Sequence, residues 1–179
     1  MPNAANDGDS FHVHANGEEY IFRLYYVDTP ETDLSFKDRV QEQADYFGLS
    51  VEDTVRLGKK AAEFTDRQLR GHPFTIITRW QDAEGRSRLP RHYAFIIVND
   101  KDLSEELVRE GLARVFGVKV VKPDGTTTRA EEEKLLALQR EAKAAHRGAW
   151  ANATDTSAEP TNGLPRMPSL PTIQPHGTH

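Results

Sequence analysis

Two short acidic segments of the chain have the residue types that hold a hard metal ion. Asp7-Gly8-Asp9 precedes a strand-like run, and Asp28 and Glu31 lie in the segment VDTPET (27–32). Each segment alone also fits a structural role, the first as a turn and the second as a helix cap. Carboxylates without a nearby Cys or His ligand favour Ca²⁺ or Mg²⁺ over zinc. The two segments together are therefore a candidate site for an oxygen-seeking cation.

An arginine accompanies these acids. Arg23 stands five residues before Asp28, inside the otherwise apolar and aromatic run YIFRLYYV. A guanidinium is costly to bury unless it pairs with an anion. It could form a structural ion pair with an acid of the protein, or act as a planar fork that binds two phosphate oxygens. The residue alone leaves both alternatives open.

The elements that must position these residues begin with a hairpin. Strand patterns over 11–15 and 20–27 flank Asn16-Gly17, which is a common hairpin turn. Antiparallel pairing places the start of the first strand beside the end of the second. We therefore expect Asp9 and Asp28 to meet at one edge of the sheet. Thr29-Pro30-Glu31 then has the pattern of a helix start.

Helices and strands alternate along the rest of the chain. The patterns predict helices over 36–48, 50–71, 103–110 and 130–146, strands over 73–80 and 92–98, and a partly extended stretch over 112–121. Trp150 is expected to lie across the package and close it. This order of elements is typical of an α+β fold, in which a small antiparallel sheet or barrel carries the helices.

Composition limits the classes of protein that fit. The net charge of −5 disfavours a basic coat protein for nucleic acid, but not an enzyme that places a cation between carboxylates and a phosphate. There is no Cys, no apolar run long enough to span a membrane, and no visible signal peptide. Residues 151–179 contain five prolines and few large apolar residues, which predicts a disordered tail rich in Pro, Ser and Thr.

Four segments carry a family resemblance. Asp7-Gly8-Asp9, FRLYYVDTPET (22–32), RHYAFI (91–96) and ELVREGLARV (106–115) resemble the staphylococcal nuclease-like (thermonuclease) family in the same order. The resemblance implies one domain over 1–150: an OB-fold, with a five-stranded barrel, three helices and a helical insertion at about 34–57. It implies a hydrolase of ester bonds with Ca²⁺ as cofactor, which cleaves DNA and RNA to 3′-phosphate and 5′-hydroxyl ends.

The resemblance also implies a role for each site residue. Asp9, Asp28 and the main-chain carbonyl of Thr29 would bind Ca²⁺. Arg23 and Arg91 would hold the scissile phosphate, and Glu31 would activate or position the attacking water. Arg91 is preferred among three nearby arginines because it precedes Ala94 by three residues, as the family pattern requires.

The chain departs from the family pattern at several positions. Only six residues precede Asp7, so we expect either a truncated start or a barrel closed by a shorter first strand. The insertion after Glu31 could cover the cleft or shape substrate access. Tyrosines that hold the nucleotide in the family are missing, which leaves Lys119 and Arg88 as candidate phosphate contacts.

The sequence is also compatible with other functions. The main alternative is a non-catalytic nuclease-like OB domain that binds nucleic acid or peptide. A second alternative is a structural Ca²⁺-binding domain whose arginines simply pair with the acids. The resemblance favours a monomer that is secreted or periplasmic, although the sequence itself does not determine the compartment.

Overall fold

A computed structural model describes residues 6–84, 87 and 89–151. The strands are β1 (Ser10–Ala15), β2 (Glu18–Leu24), β3 (Val27–Asp28), β4 (Phe74–Asp82), β5 (Arg91–Val98), β6 (Lys101–Asp102) and β7 (Arg114–Val115). The helices are α1 (Lys37–Phe47), α2 (Val51–Gly71), α3 (Leu103–Arg109) and α4 (Thr128–Ala144), followed by a 3₁₀ turn at Gly148–Trp150. The predicted tail falls almost entirely on residues 152–179, and Arg86 and Arg88 also lie outside the described residues.

Five strands form one mixed sheet. Its order is β1-β2-β5-β4, β6 pairs with β5, and only the β2–β5 pair is parallel. The short strands β3 and β7 form a separate antiparallel ribbon. The α+β class is confirmed, and so are four helices, one of them in the predicted insertion. The strands of the described residues do not close into a barrel, since β1 and β4 end the path without pairing to each other.

The connection after β2 differs from the prediction. The return strand breaks at Tyr26, whose φ of +70° turns the chain before β3 begins. The predicted helix start at Thr29 is wrong, because the first helix begins only at Lys37. The backbone amides here bond to tertiary partners instead: Thr29 N–H points to Asp9 Oδ2 at 3.4 Å, and Glu31 N–H donates to Gln43 Oε1 at 3.0 Å. The Thr29 carbonyl, which would accept the first bond of such a helix, accepts from Gln43 Nε2 at 3.0 Å instead.

The core lies between the sheet and the helices. Its fully buried side chains include Leu24 of β2, Ile96 of β5, Leu107 of α3 and Leu135 of α4. Trp150 is buried with its ring centroid 5.8 Å from that of Phe47, so the predicted closure is confirmed. Among the described helices, none has the length and apolarity needed to cross a bilayer.

Candidate active site

The Asp7-Gly8-Asp9 segment is both a turn and a source of site residues. Asp7 Oδ1 accepts from the backbone N–H groups of Asp9 and Ser10, at 3.1 and 2.6 Å, which fixes the turn. Leu24 N–H donates to the Asp9 carbonyl at 2.8 Å and extends the hairpin to this point. Asp9 is itself buried, and its Oδ2 accepts from Arg23 Nη2 at 3.1 Å. The structural reading of Asp7 is therefore correct, and it supports the placement of Asp9.

Asp9 and Asp28 meet as the hairpin predicts. Arg23 Nη2 lies 3.1 Å from Asp9 Oδ2 and 3.1 Å from Asp28 Oδ1, so one guanidinium bridges the two acids. Burial raises the pKa of Asp9, and Arg23 opposes that rise. In return, the Asp9 carboxylate is the main reason that the pKa of Arg23 is raised. Strong mutual charge stabilisation therefore holds the three side chains together.

Helix α1 supplies a residue that the sequence did not reveal. Gln43 is fully buried, and its side-chain amide bonds to Asp28, Thr29 and Glu31 of the acidic segment. Its Nε2 donates to Asp28 Oδ2 and to the Thr29 carbonyl, each at 3.0 Å, while its Oε1 accepts from Glu31 N–H. Gln43 thus orients both predicted oxygen ligands of this segment and the backbone of Glu31.

Two further arginines, which were not among the predicted site residues, also contact Asp28. Arg114 of β7 donates from Nε to Asp28 Oδ2 at 2.8 Å and from Nη1 to Glu42 at 2.9 Å. Its guanidinium stacks on Phe116, with the carbon 4.2 Å from the ring centroid. Arg39 of α1 pairs through Nη2 with Asp28 Oδ1 and through Nε with Glu31. No spacing rule connects these arginines to the acidic segments, because only the fold brings them there.

Glu31 lies at the open side of the site. Its side chain is 20% exposed, whereas that of Asp28 is fully buried. Burial raises the pKa of Glu31, and the Arg39 guanidinium opposes that rise. Gly58 of α2 allows this placement, since a Cβ at position 58 would lie 2.3 Å from the Glu31 carbonyl oxygen. The helix therefore packs directly on the backbone that carries Glu31.

Unpartnered polar atoms concentrate at this site. Among the described residues, the buried side-chain atoms without a hydrogen-bond partner are Thr29 Oγ1, Arg39 Nε, His92 Nδ1 and Arg114 Nη2. Three of these belong to the site, and two of the three are guanidinium donors. Arg39 Nε contacts Glu31 as an ion pair without hydrogen-bond geometry. Buried donors of this kind favour an anionic ligand.

The structure places the other predicted contacts away from the acids. Arg91 is paired in register with Ile21, two residues before Arg23 on β2, and its guanidinium donates to the Glu84 carbonyl at 3.0 and 2.5 Å. Alternate residues of neighbouring strands share one face, so Arg91 and Arg23 are on the same side of the sheet. Lys119 pairs with Glu132 at 2.5 Å on the surface. Neither Arg91 nor Lys119 contacts Asp9, Asp28 or Glu31 through these bonds.

A second acidic cluster lies elsewhere in the molecule. Carboxylate oxygens of Asp102, Glu105 and Glu131 lie within 4.8 Å of one another, a spacing that could hold a metal ion. Lys122 Nζ occupies their centre, 2.9 to 3.1 Å from one oxygen of each. Lys134 adds a second ammonium, 2.6 Å from Glu105, so positive charge already stands beside the three carboxylates. This cluster is thus an ion-pair network between α3, α4 and the loop that carries Lys122.

The comparison with known families agrees with the geometry. A family model described as "Staphylococcal nuclease homologue" matches residues 21–152. The chain belongs to this family. The matched region contains Arg23, Asp28, Thr29, Glu31 and Arg91, and it begins after Asp9. The expected staphylococcal nuclease-like family is therefore confirmed.

Curated relatives of this nuclease family are distant. Thermonuclease of Staphylococcus hyicus is 27% identical over 82% of this chain and 72% of its own length. An uncharacterized protein of Methanocaldococcus jannaschii is 29% identical over 80% of this chain and 67% of its own length. Endonuclease YncB of Bacillus subtilis is 31% identical over 62% of this chain, but the match spans only 44% of that protein. These similarities support a nuclease-family hydrolase domain.

Proposed function

We propose that the chain is a Ca²⁺-dependent phosphodiesterase that cleaves DNA and RNA to 3′-phosphate and 5′-hydroxyl ends. One observation carries the proposal: Asp9, Asp28 and Thr29 converge, with Arg23 and Glu31 around them, at one edge of the hairpin. The family membership makes nucleic acid the expected substrate. The presence of all these charged groups favours catalysis over a domain that only binds nucleic acid or peptide.

The side chains present suit Ca²⁺. Asp9, Asp28 and the Thr29 carbonyl offer only oxygen atoms, which hard cations prefer. The Thr29 hydroxyl is buried without a hydrogen-bond partner, so a further oxygen is available beside them. When bound there, Ca²⁺ supplies positive charge to the phosphoryl oxygens in the transition state. These residues therefore fit the cation that the resemblance implies.

The chain's own residues perform the remaining steps in this proposal. Arg23, held by the two acids, presents a guanidinium beside the cation site, where it stabilises charge on the phosphate. Glu31 is the most exposed carboxylate of the set and takes the proton of the attacking water. The water oxygen then forms the bond to phosphorus as the bond from phosphorus to the 5′ oxygen breaks, and the released 5′ oxygen takes a proton from solvent to give the 5′-hydroxyl.

A cleavage assay tests this function. We expect the full chain to cleave single-stranded DNA and RNA in millimolar Ca²⁺, to stop when a chelator is added, and to leave 5′-hydroxyl ends that a polynucleotide kinase labels directly. Folded protein that produces no cleavage in Ca²⁺ or Mg²⁺ would leave a binding module as the better description. Cleavage that persists in chelator would remove the metal from the mechanism.

Gln43 provides a prediction about metal affinity. Gln43→Leu keeps the volume of the side chain but removes its hydrogen bonds to Asp28, Thr29 and Glu31. Because such partners orient metal ligands, we expect Ca²⁺ affinity to fall about 10- to 100-fold. Titration calorimetry of the folded variant measures this change, and Gln41→Leu, which removes only an exposed contact to Asp45, is the matched control. Unchanged affinity in Gln43→Leu would reduce Gln43 to a packing residue.

Arg91 provides a prediction about the second phosphate contact. We expect Arg91→Gly to fold normally, because the hydrogen bonds of its side chain within the described residues go to a single acceptor, the Glu84 carbonyl. If Arg91 reaches the phosphate when substrate is bound, kcat/KM falls about 100-fold. Steady-state cleavage of an oligonucleotide measures the loss. Near-normal activity would move the assignment to Arg88 or Arg86.

A further inference from the structure

Donors from the described residues fill the acceptor positions of Asp28. A carboxylate offers about four lone-pair sites, and Asp28 receives four donors. Arg23 and Arg39 contact its Oδ1, while Gln43 and Arg114 donate to its Oδ2. A cation can bind this carboxylate only if at least one donor leaves. The four donors therefore have to be compared for the ease with which each can be displaced.

Arg39 is the donor that is easiest to displace. Its side chain is 35% exposed, against 16% for Arg23 and 4% for Arg114, and Gln43 is fully buried. Arg23 is also tied to Asp9, and Arg114 is also tied to Glu42. Arg39 is likewise tied to a second acid, Glu31, so the number of partners does not separate the three arginines. The exposure does, and Arg39 has the shortest path to solvent.

The charges at the site also favour displacement of Arg39. The guanidinium groups of Arg23, Arg39 and Arg114 lie among four paired carboxylates, those of Asp9, Asp28, Glu31 and Glu42. A divalent cation adds positive charge beside Asp28 and lowers the attraction between this carboxylate and the most exposed guanidinium. A released arginine on α1 would remain beside the site, where an anionic phosphodiester needs a donor. Its departure from Glu31 would also leave that carboxylate open to water.

We propose that Arg39 is exchanged for Ca²⁺ at Asp28 and then binds the phosphate of the substrate. This inference rests on the proposed phosphodiesterase function, and it adds a regulatory and substrate-binding role for the inserted helix α1. In the absence of the cation, Arg39 holds Asp28 and Glu31 in a closed ion pair. When the cation is bound, the same guanidinium contacts the incoming nucleic acid.

Ca²⁺ calorimetry without substrate tests the exchange. Arg39→Gln removes the competing charge, so we expect its Ca²⁺ dissociation constant to fall about tenfold relative to the unmodified chain, as a nearby like charge is lost. Arg39→Lys keeps the charge without the fork and should bind Ca²⁺ as the unmodified chain does, within about threefold. Weaker or unchanged Ca²⁺ binding in Arg39→Gln would overturn the exchange, because a purely structural arginine would produce that result.

Cleavage kinetics at saturating Ca²⁺ test the second part of the proposal, that the released Arg39 binds the substrate. We expect the KM of Arg39→Gln for a short single-stranded DNA to rise about tenfold, with partial recovery in Arg39→Lys. An unchanged KM would show that the released arginine does not bind substrate. Arg129→Gln is the control, since its exposed side chain pairs only with Glu133. If the unmodified chain fails to cleave at all, the proposed function fails, whereas the calorimetric result still decides the exchange.

Discussion

Glu31→Gln is expected to lower kcat for DNA cleavage about 1,000-fold. The substitution keeps the size and shape of the side chain but removes the group that accepts the proton of water. The carboxylate is well placed for this role, being the most exposed of the three site acids and positioned by the Gln43 and Gly58 contacts of its backbone. Initial rates at saturating Ca²⁺ and substrate measure the effect directly.

A matched exposed acid provides the control for this experiment. Glu133→Gln on α4 removes only a surface pair with Arg129 and should leave the rate unchanged. Both variants should unfold at nearly the same temperature as the unmodified chain in Ca²⁺. If Glu31→Gln keeps more than about a tenth of the normal kcat, general-base catalysis by Glu31 is refuted, because such catalysis contributes at least 100-fold.

Arg23→Gln is expected to have two separable effects. Loss of the bridging guanidinium should lower kcat/KM about 100- to 1,000-fold, because charge on the phosphate is no longer stabilised. It should also lower the free energy of unfolding without Ca²⁺ by about 3 kcal/mol, since Asp9 and Asp28 are both buried and lose a shared partner. Ca²⁺ supplies positive charge to the same acids and should restore most of that stability.

Denaturant unfolding with and without Ca²⁺ separates the two effects. Arg129→Gln controls for the loss of a surface guanidinium and should change neither stability nor kcat/KM measurably. Recovery of stability in Ca²⁺ without recovery of activity is the predicted pattern. If Ca²⁺ restored both, Arg23 would be only a structural partner of the acids. Normal activity throughout would contradict the phosphate-binding role.

Local sequence pattern was sufficient to place the acids. The Asn16-Gly17 turn fixes the hairpin register, and that register pairs Ser10 with Arg23 and so brings Asp9 to the end of β2. The helices predicted over 36–48 and 50–71 agree with α1 and α2, because Gly48 ends the first and the Ser50 side chain caps the second through contacts within one turn. Sequence patterns succeeded where the relevant contacts are close along the chain.

The residues that complete the site were not predictable in this way. Arg39 and Gln43 belong to an inserted helix that was expected only to cover or shape the cleft, and Arg114 lies 86 positions after Asp28. The failed helix start at Thr29 has the same origin, since Gln43 donates to the Thr29 carbonyl, which would otherwise accept the first bond of a helix. Tertiary contacts decided each of these points. The open sheet also depends on strand partners that no local pattern specifies.

We propose above all that Ca²⁺ acts at Asp28 to support phosphodiester cleavage. A Ca²⁺ titration of single-stranded DNA cleavage, run in parallel for the unmodified chain and for Asp28→Asn, tests it most directly. We predict saturable Ca²⁺ activation in the unmodified chain and a loss of at least about 100-fold in Asp28→Asn at every Ca²⁺ concentration. Equal activity of the two proteins, or cleavage independent of Ca²⁺, would contradict the account.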